Sequence, residues 1–183
     1  MRRLAVALVH HPVHDRQRAI VTTAITNLDL HDIARSAHTY GVSDFFVVHP
    51  ISAQRELAER VRDHWVAGSG ARRIPDRSPA LGIVRVVPDV DSAITALGSD
   101  VELWTTSAIE RPRSLTFATA REQLQQAGPP VLILFGTGWG LADALCDRAD
   151  EQLEPIRSPR ADGYNHLSVR AAAAICFDRL LGR

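Results

Sequence analysis

Short apolar runs alternate with amphipathic stretches almost from end to end of this 183-residue chain. Leu4 to Val9 reads as a strand. Leu30 to Tyr40 carries apolar residues at Leu30, Ile33, Ala34 and Ala37, the spacing of a helix with one buried stripe, and Gly41 stands where such a helix stops. The same alternation gives a strand at Phe45 to Val48, a helix at Ser52 to Val66 with Leu57, Val61 and Trp65 on one face, and strands at Ile83 to Val87, Val101 to Thr105 and Val131 to Phe135. Helices at Asp91 to Leu97 and Thr116 to Gln126 fall between them. A short helix lies around Leu141 to Cys146, and Tyr164 to Ile175 opens a long apolar one. Strands apolar throughout and separated by helices call for a mainly parallel sheet covered on both faces, a Rossmann-like α/β fold. Gly68 to Pro79 is the one long irregular segment, and no linker or repeat divides the chain, so residues 1–183 are expected to form a single domain.

With 45% hydrophobic residues the chain can bury a full core without help from disulfides or metal. Its two cysteines, Cys146 and Cys176, both fall within expected helices, which suits small buried side chains in a reducing cytoplasm. No apolar run approaches the roughly 18 residues that suggest a membrane span. The N-terminal MRRLAVALVHHP reads as a first strand rather than a signal peptide, because charge and His-Pro follow at once. A formal net charge of zero argues against indiscriminate nucleic-acid binding. All 21 basic residues are nevertheless arginine, and Arg55, Arg60, Arg62, Arg72, Arg73 and Arg77 cluster. That cluster is either a local nucleic-acid surface or a solvated helix face with the loop after it.

The segment FGTGWGL, Phe135 to Leu141, closes the strand at Val131 with a glycine-rich turn. In open parallel sheets ligands bind beyond the carboxyl ends of strands, so this turn and Thr105-Thr106-Ser107 are candidates to share one pocket. The spacing is G-x-G-x-G after a late strand, not the G-x-G-x-x-G after a first strand that a nicotinamide site requires, and a chain without lysine has no Walker lysine. His10, His11 and His14 with Asp15 do not make a metal site, since adjacent residues on a strand point to opposite sides and no H-E-x-x-H partner exists. Neither cysteine sits in a turn or beside a fixed base. In Ile25 to Gly41, Asn27 or Asp29 can cap the helix, and Arg35 projects off the apolar stripe, either to pair with Asp32 or His31 or to meet a ligand.

The order of three segments resembles the SPOUT family of knotted RNA methyltransferases dependent on S-adenosylmethionine (SAM): Asn27 followed eight residues on by Arg35, F-G-x-x-x-G-L at Phe135 to Leu141, and L-S-V-x-A-A-A-I in the last helix. More closely, the chain is similar to a bacterial SPOUT branch known mainly as predicted RNA methyltransferases. The matching segments are HPV at His11 to Val13, IVTTAITNLDLHDIARSAHTYGV at Ile20 to Val42, HWVAGSG at His64 to Gly70, PDR at Pro75 to Arg77 and YNHLSV at Tyr164 to Val169.

That resemblance implies a C-terminal deep trefoil knot, an exception to the rule that chains do not knot. It implies a SAM site built from Thr105 and Thr106, from Gly136, Thr137, Trp139 and Gly140, and from Ile156, Ser158, Tyr164, Asn165 and Leu167, with Ile156 and Leu167 as apolar walls. Asn165 is also placed to cap the last helix. The resemblance implies a homodimer packed through the knot region, with the nearly all-apolar Ala171 to Leu181 buried on both sides. A monomer burying that helix in its own core is the alternative. Arg35, supported by Asn27, would position phosphate and stabilise a developing oxyanion. Asp29 and the Tyr164-Asn165-His166 run depart from the ribose-methylating pattern, so both a ribose 2′-hydroxyl and a base nitrogen stay open as acceptor, with Asp162 or His166 as proton acceptor for the latter. The RNA, tRNA or rRNA, would be met by Arg72, Arg73, Arg77 and Arg160, with Arg111 and Arg113 as further candidates. A knotted RNA-binding factor without turnover, or a protein or small-molecule substrate, are the competing readings.

Overall fold

The computed structural model describes residues 1–110 and 114–183. In chain order its strands are β1 (Leu4–Val9), β2 (Val13–His14), β3 (Ile20–Val21), β4 (Asp44–Val48), β5 (Val84–Val87), β6 (Glu102–Thr105), β7 (Val131–Gly136) and β8 (Glu151–Gln152). Its helices are α1 (Asn27–Thr39), α2 (Ser52–Val66), α3 (Ser69–Arg73), α4 (Ser78–Gly82), α5 (Val90–Leu97), α6 (Phe117–Gln125), α7 (Asp143–Arg148) and α8 (Val169–Leu181), with a 3-10 turn at Pro75–Arg77. Among the described residues, six strands form one sheet in the order β5-β4-β1-β7-β6-β8, and every pairing in it is parallel. The hairpin β2-β3 stands apart and is antiparallel.

The two-residue period of a strand sorts the core into two layers. Leu4, Val6 and Leu8 of β1, with Phe45, Val47, Ile133 and Phe135, face α1, α6 and α8 through Leu30, Ile33, Leu124, Phe177 and Leu180. Ala5, Ala7 and Val9, with Phe46, Val48, Leu132 and Leu134, face the other way, onto Val90, Ala93 and Leu97 of α5 and Leu145 of α7. Burying an aromatic or large aliphatic side chain contributes roughly 1.5–3 kcal/mol, so this double layer is the main source of stability.

Three local expectations are corrected. The cap of α1 is neither Asn27 nor Asp29 but Thr26, whose hydroxyl accepts from the Asp29 amide at 3.2 Å. Asn27 is the first helical residue, and Asp29 is turned inward and buried. Residues 68–79 are not irregular: α3, the 3-10 turn and the start of α4 fill them. The cap of α8 is Ser168 rather than Asn165, its hydroxyl accepting from the Ala171 amide at 3.3 Å.

Beyond β7 the chain returns to the sheet between two ends of one connection. Asp150 and Leu153 donate their amides to Leu103 and Thr105 of β6, at 2.8 and 2.9 Å. On the opposite side Leu115 donates to the Gln152 carbonyl at 2.7 Å and Glu154 donates to the Leu115 carbonyl at 2.9 Å. The Phe117 amide, opening α6, is held by the Glu154 carboxylate at 2.7 Å. Residues 150–154 are thus gripped by β6 before, and by residues 115–117 after, the connection that joins β6 to α6.

Candidate functional site

The parallel sheet delivers the carboxyl ends of β1, β4, β6 and β7 to one edge of the molecule, and the singled-out segments gather there. At the end of β7 the turn 136–141 folds so tightly that a Cβ on Gly136 would lie 2.6 Å from the Leu141 amide nitrogen. Gly138 has φ +59°, and a Cβ there would meet the His14 carbonyl oxygen at 2.9 Å. The hairpin is docked on this turn: Trp139 donates its amide to the His14 carbonyl at 2.8 Å, and His14 donates to the Gly140 carbonyl at 2.9 Å. Thr137 sends both its amide and its hydroxyl to the Val9 carbonyl, at 3.2 and 3.1 Å. The amides of Thr137, Trp139 and Gly140 are therefore engaged within the chain, and the turn presents the exposed Trp139 ring rather than a row of free N–H groups.

Beneath the turn lies a buried polar chain whose protons can be placed by counting donors. The Thr137 hydroxyl is used as donor to Val9, so Thr23 Oγ1, 2.5 Å away, donates to it. Thr23 then accepts from His10 Nδ1 at 3.0 Å, which leaves His10 Nε2 as a buried lone pair with no partner. His49 Nδ1 accepts from the Ile51 amide at 3.1 Å, so its Nε2 carries the proton and donates to the Thr23 carbonyl at 2.9 Å. Burial, with a smaller push from His49, lowers the His10 pKa to about 4. Both rings are neutral structural members; His11 and His14 likewise hydrogen-bond to Val21 and Arg18 carbonyls. This chain was not legible beforehand: His10 drew attention only as a metal-cluster candidate with His11, His14 and Asp15, and Thr23 only as part of a longer match.

A cleft of about 280 Å³ opens between the residues after β6 and those before α8, lined by Ala108, Glu110, Pro155, Arg157, Ser158, Gly163 and Asn165. Of the expected cofactor residues, Ser158 and Asn165 line it. Thr105 is fully buried, and Thr106 sends its hydroxyl to the Leu134 carbonyl at 2.9 Å, so both shape the strand end. Asn165 donates its side-chain amide to the Ile156 carbonyl at 2.8 Å, which stabilises the segment as a loop, and Ile156 packs against the core. Tyr164 and Leu167 are exposed and do not line the cleft. Sequence reasoning missed Glu110 and Arg157, which pair at 2.6 Å. Arg157 lay inside the segment already singled out, whereas nothing marked Glu110.

The first turns of α1 and α8 meet next to the cleft segment. Asp29 accepts from the Thr26 hydroxyl at 2.6 Å and from Arg170 at 3.0 Å, and Arg170 also reaches Asp32 at 3.5 Å. Asn27 and Arg35 are exposed on this helix, and neither has an ion pair or side-chain hydrogen bond among the described residues, so the pairing of Arg35 with Asp32 or His31 does not occur. Asp162 is gripped by Arg160 through both carboxylate oxygens and accepts the Tyr164 amide at 3.1 Å. The Arg160 hydrogen bond holds its carboxyl below the usual range, which makes Asp162 a weak base. His166 stacks at a tilt 5.4 Å from Tyr164 and is exposed. Arg72 and Arg73 end α3 on the surface, Arg77 lies 4.3 Å over the Trp65 ring, and Arg111 and Arg113 fall outside the described residues.

The fold is similar to that of the SpoU methyltransferase AviRb from Streptomyces viridochromogenes, whose structure matches 98% of this chain and 58% of its own with a TM-score of 0.56 at 17% identity. The chain belongs to the SAM-dependent RNA methyltransferase family, whose model matches residues 3–182. It is similar to the tRNA (guanine-N(1)-)-methyltransferase of Nitratidesulfovibrio vulgaris, 44% identical across 99% of this chain. It spans only 42% of that relative's length. A protein from Aquifex aeolicus with no assigned function is 36% identical over 97% of this chain and 88% of its own.

Proposed function

We propose that this chain transfers a methyl group from SAM to a structured RNA, and that the cleft between residues 108–110 and 155–165 holds the cofactor. The observation that carries the reading is the side-chain chemistry of that cleft, set beside the α1–α8 junction. Arg157 and Glu110 pair at 2.6 Å in its wall, and opening that pair would offer a cation to a carboxylate and an anion to an amine, which suits an amino-acid end. Ser158 and Asn165 add polar groups, and Ala108 and Pro155 give apolar wall. SAM supplies an activated methyl on a sulfonium when bound. The passage of residues 150–154 between β6 and residues 115–117 supports the deep trefoil knot, and the half-buried apolar residues Ala171, Ala174 and Ile175 on α8 support a homodimer formed through it. We read residues 1–183 as one catalytic domain working in the cytoplasm, consistent with a sequence that has only two cysteines and a hydrophobic core large enough to fold without a disulfide framework.

Arg35 holds the target phosphate and stabilises negative charge developing on the acceptor, and Asn27 assists it at the start of the same helix. A guanidinium stays protonated, so Arg35 does not take the acceptor's proton. His166 is the better proton acceptor, because Asp162 is already engaged by Arg160 and Tyr164. Orientation of the acceptor supplies most of the remaining acceleration. The tRNA activity named for the N. vulgaris relative favours tRNA over rRNA as the substrate class, with a base nitrogen or a ribose 2′-hydroxyl as acceptor; that name describes a protein more than twice as long as this chain.

Transfer of tritiated methyl from SAM to size-fractionated total RNA tests the reading. One labelled RNA band, lost with Arg35→Ala while calorimetric SAM binding persists, is the expected result, and nucleoside analysis of that band then separates base from ribose. SAM binding with no RNA labelled would sink catalysis on RNA in favour of a binding factor or another substrate.

A further inference from the structure

On the face of the molecule made by α1, α2, α3 and the 3-10 turn stand several arginines without an ion-pair partner among the described residues. Elsewhere the exposed arginines Arg18, Arg148, Arg157 and Arg160 each pair with a carboxylate. Among the described residues Arg35, Arg72, Arg73 and Arg77 pair with none, and the nearby Asp32 is turned to Arg170. At the centre of this face stands Trp65. His31 and His64 meet its ring edge-on, at centroid distances of 5.3 and 5.2 Å and interplanar angles of 90° and 85°. The Arg77 guanidinium covers it at 4.3 Å. Gly70 presses α3 against the pair: a Cβ there would lie 2.7 Å from both His64 Cδ2 and Trp65 Cε3, so only glycine brings Arg72 and Arg73 this close.

We propose that this surface grips a single-stranded part of the RNA substrate, with an unpaired base stacked on the Trp65-supported Arg77 guanidinium and the adjoining phosphates met by Arg35, Arg72 and Arg73. The inference rests on the RNA methyltransferase reading and adds to it where the RNA sits and which arginines do not hold it. A guanidinium held 4.3 Å over an aromatic ring has lost conformational freedom, so it offers a stacking group that every base can use. Uncompensated arginines around it would repel one another and cost stability in the free protein, and an RNA backbone removes that cost. On the cleft loop, by contrast, Arg160 has its charge engaged by Asp162 and Arg157 faces the proposed cofactor cleft. The site is therefore on the α2–α3 side and not on the cleft loop.

Fluorescence anisotropy of a labelled single-stranded oligonucleotide and of bulk tRNA, across a salt series, decides the matter. Arg77→Gln, and the double variant Arg72→Gln with Arg73→Gln, should weaken binding roughly five- to tenfold, each lost phosphate contact lowering the salt slope by about one. Arg160→Gln should bind within about twofold of the wild type. Trp65→Phe should retain most affinity and Trp65→Leu lose it; if the latter misfolds, Arg77→Gln carries the test alone. SAM affinity, measured by calorimetry on Arg77→Gln and on the Arg72 and Arg73 double variant, should not change. Wild-type affinity in Arg77→Gln and in the double variant, or an equal loss in Arg160→Gln, overturns the assignment while leaving the methyltransferase reading standing. A wild-type protein that binds no RNA removes both.

Discussion

His10 has a fully buried ring whose second nitrogen finds no partner, and its cost appears as a pH dependence. In the unfolded chain the imidazole protonates near pH 6.5, whereas in the fold burial delays this to about 4. Above pH 6.5 both states are neutral and the full stability is present. Below it the unfolded state takes up a proton that the folded state refuses, so stability falls by about 1.4 kcal/mol per pH unit, roughly 3 kcal/mol in all by pH 4. His31 and His49, whose pKa values are also lowered by burial, push in the same direction. Urea midpoints should drop between pH 7 and 5, and His10→Gln should flatten the slope; an unchanged slope would mean that the ring protonates freely in the fold. The sequence shows a run of histidines but not this state. Which nitrogen bonds to Thr23, and that Thr137 completes the chain, depends on residues 114 positions apart being adjacent.

At the scale of elements, the first turns of α1 and α8 are tied together through one buried carboxylate. Asp29 is buried and held by the Thr26 hydroxyl and Arg170. Arg170→Ala leaves that carboxylate with a single side-chain partner and should cost roughly 1–3 kcal/mol, read as a lowered denaturation midpoint. The result that contradicts this is a midpoint equal to the wild type. Apolar spacing identified the long helices because a stripe of Leu30, Ile33, Ala34 and Ala37 admits one geometry. The caps were misread because Thr26, Asn27 and Asp29 are all competent, and only the backbone path selects one of them. The strands β2, β3 and β8 are two residues each, too short to carry a period, and α3 and α4 are too short to carry a stripe.

Across the whole molecule the parallel sheet was legible, since continuous apolar runs between helices leave little alternative. The closeness of its layers was not. Ala5 and Ala7 are fully buried beneath α5, where their size sets how near the helix lies. Ala7→Leu should overpack this layer and cost about 1–3 kcal/mol, measured by urea unfolding, whereas the same change at an exposed alanine such as Ala53 should be near neutral. Equal effects at the two sites would mean that the layer is loosely packed. The cofactor segments were half legible for a related reason: the motif at 156–167 marked one wall of the cleft, but the opposing Glu110 lies in an unremarkable stretch that becomes a wall only when residues 150–154 dock beside β6.

That docking makes the assembly of the molecule observable from outside. One wall of the cleft follows β6 and the other follows the docked segment, so a molecule whose sheet has formed but whose later segment has not yet settled has half a cleft and nothing with which to grip a small molecule. On the proposal that this cleft holds SAM, capture of the cofactor would then serve as a completion signal. Its time course during refolding would report the docking of residues 150–154, separately from the spectroscopic signals of the helices and sheet.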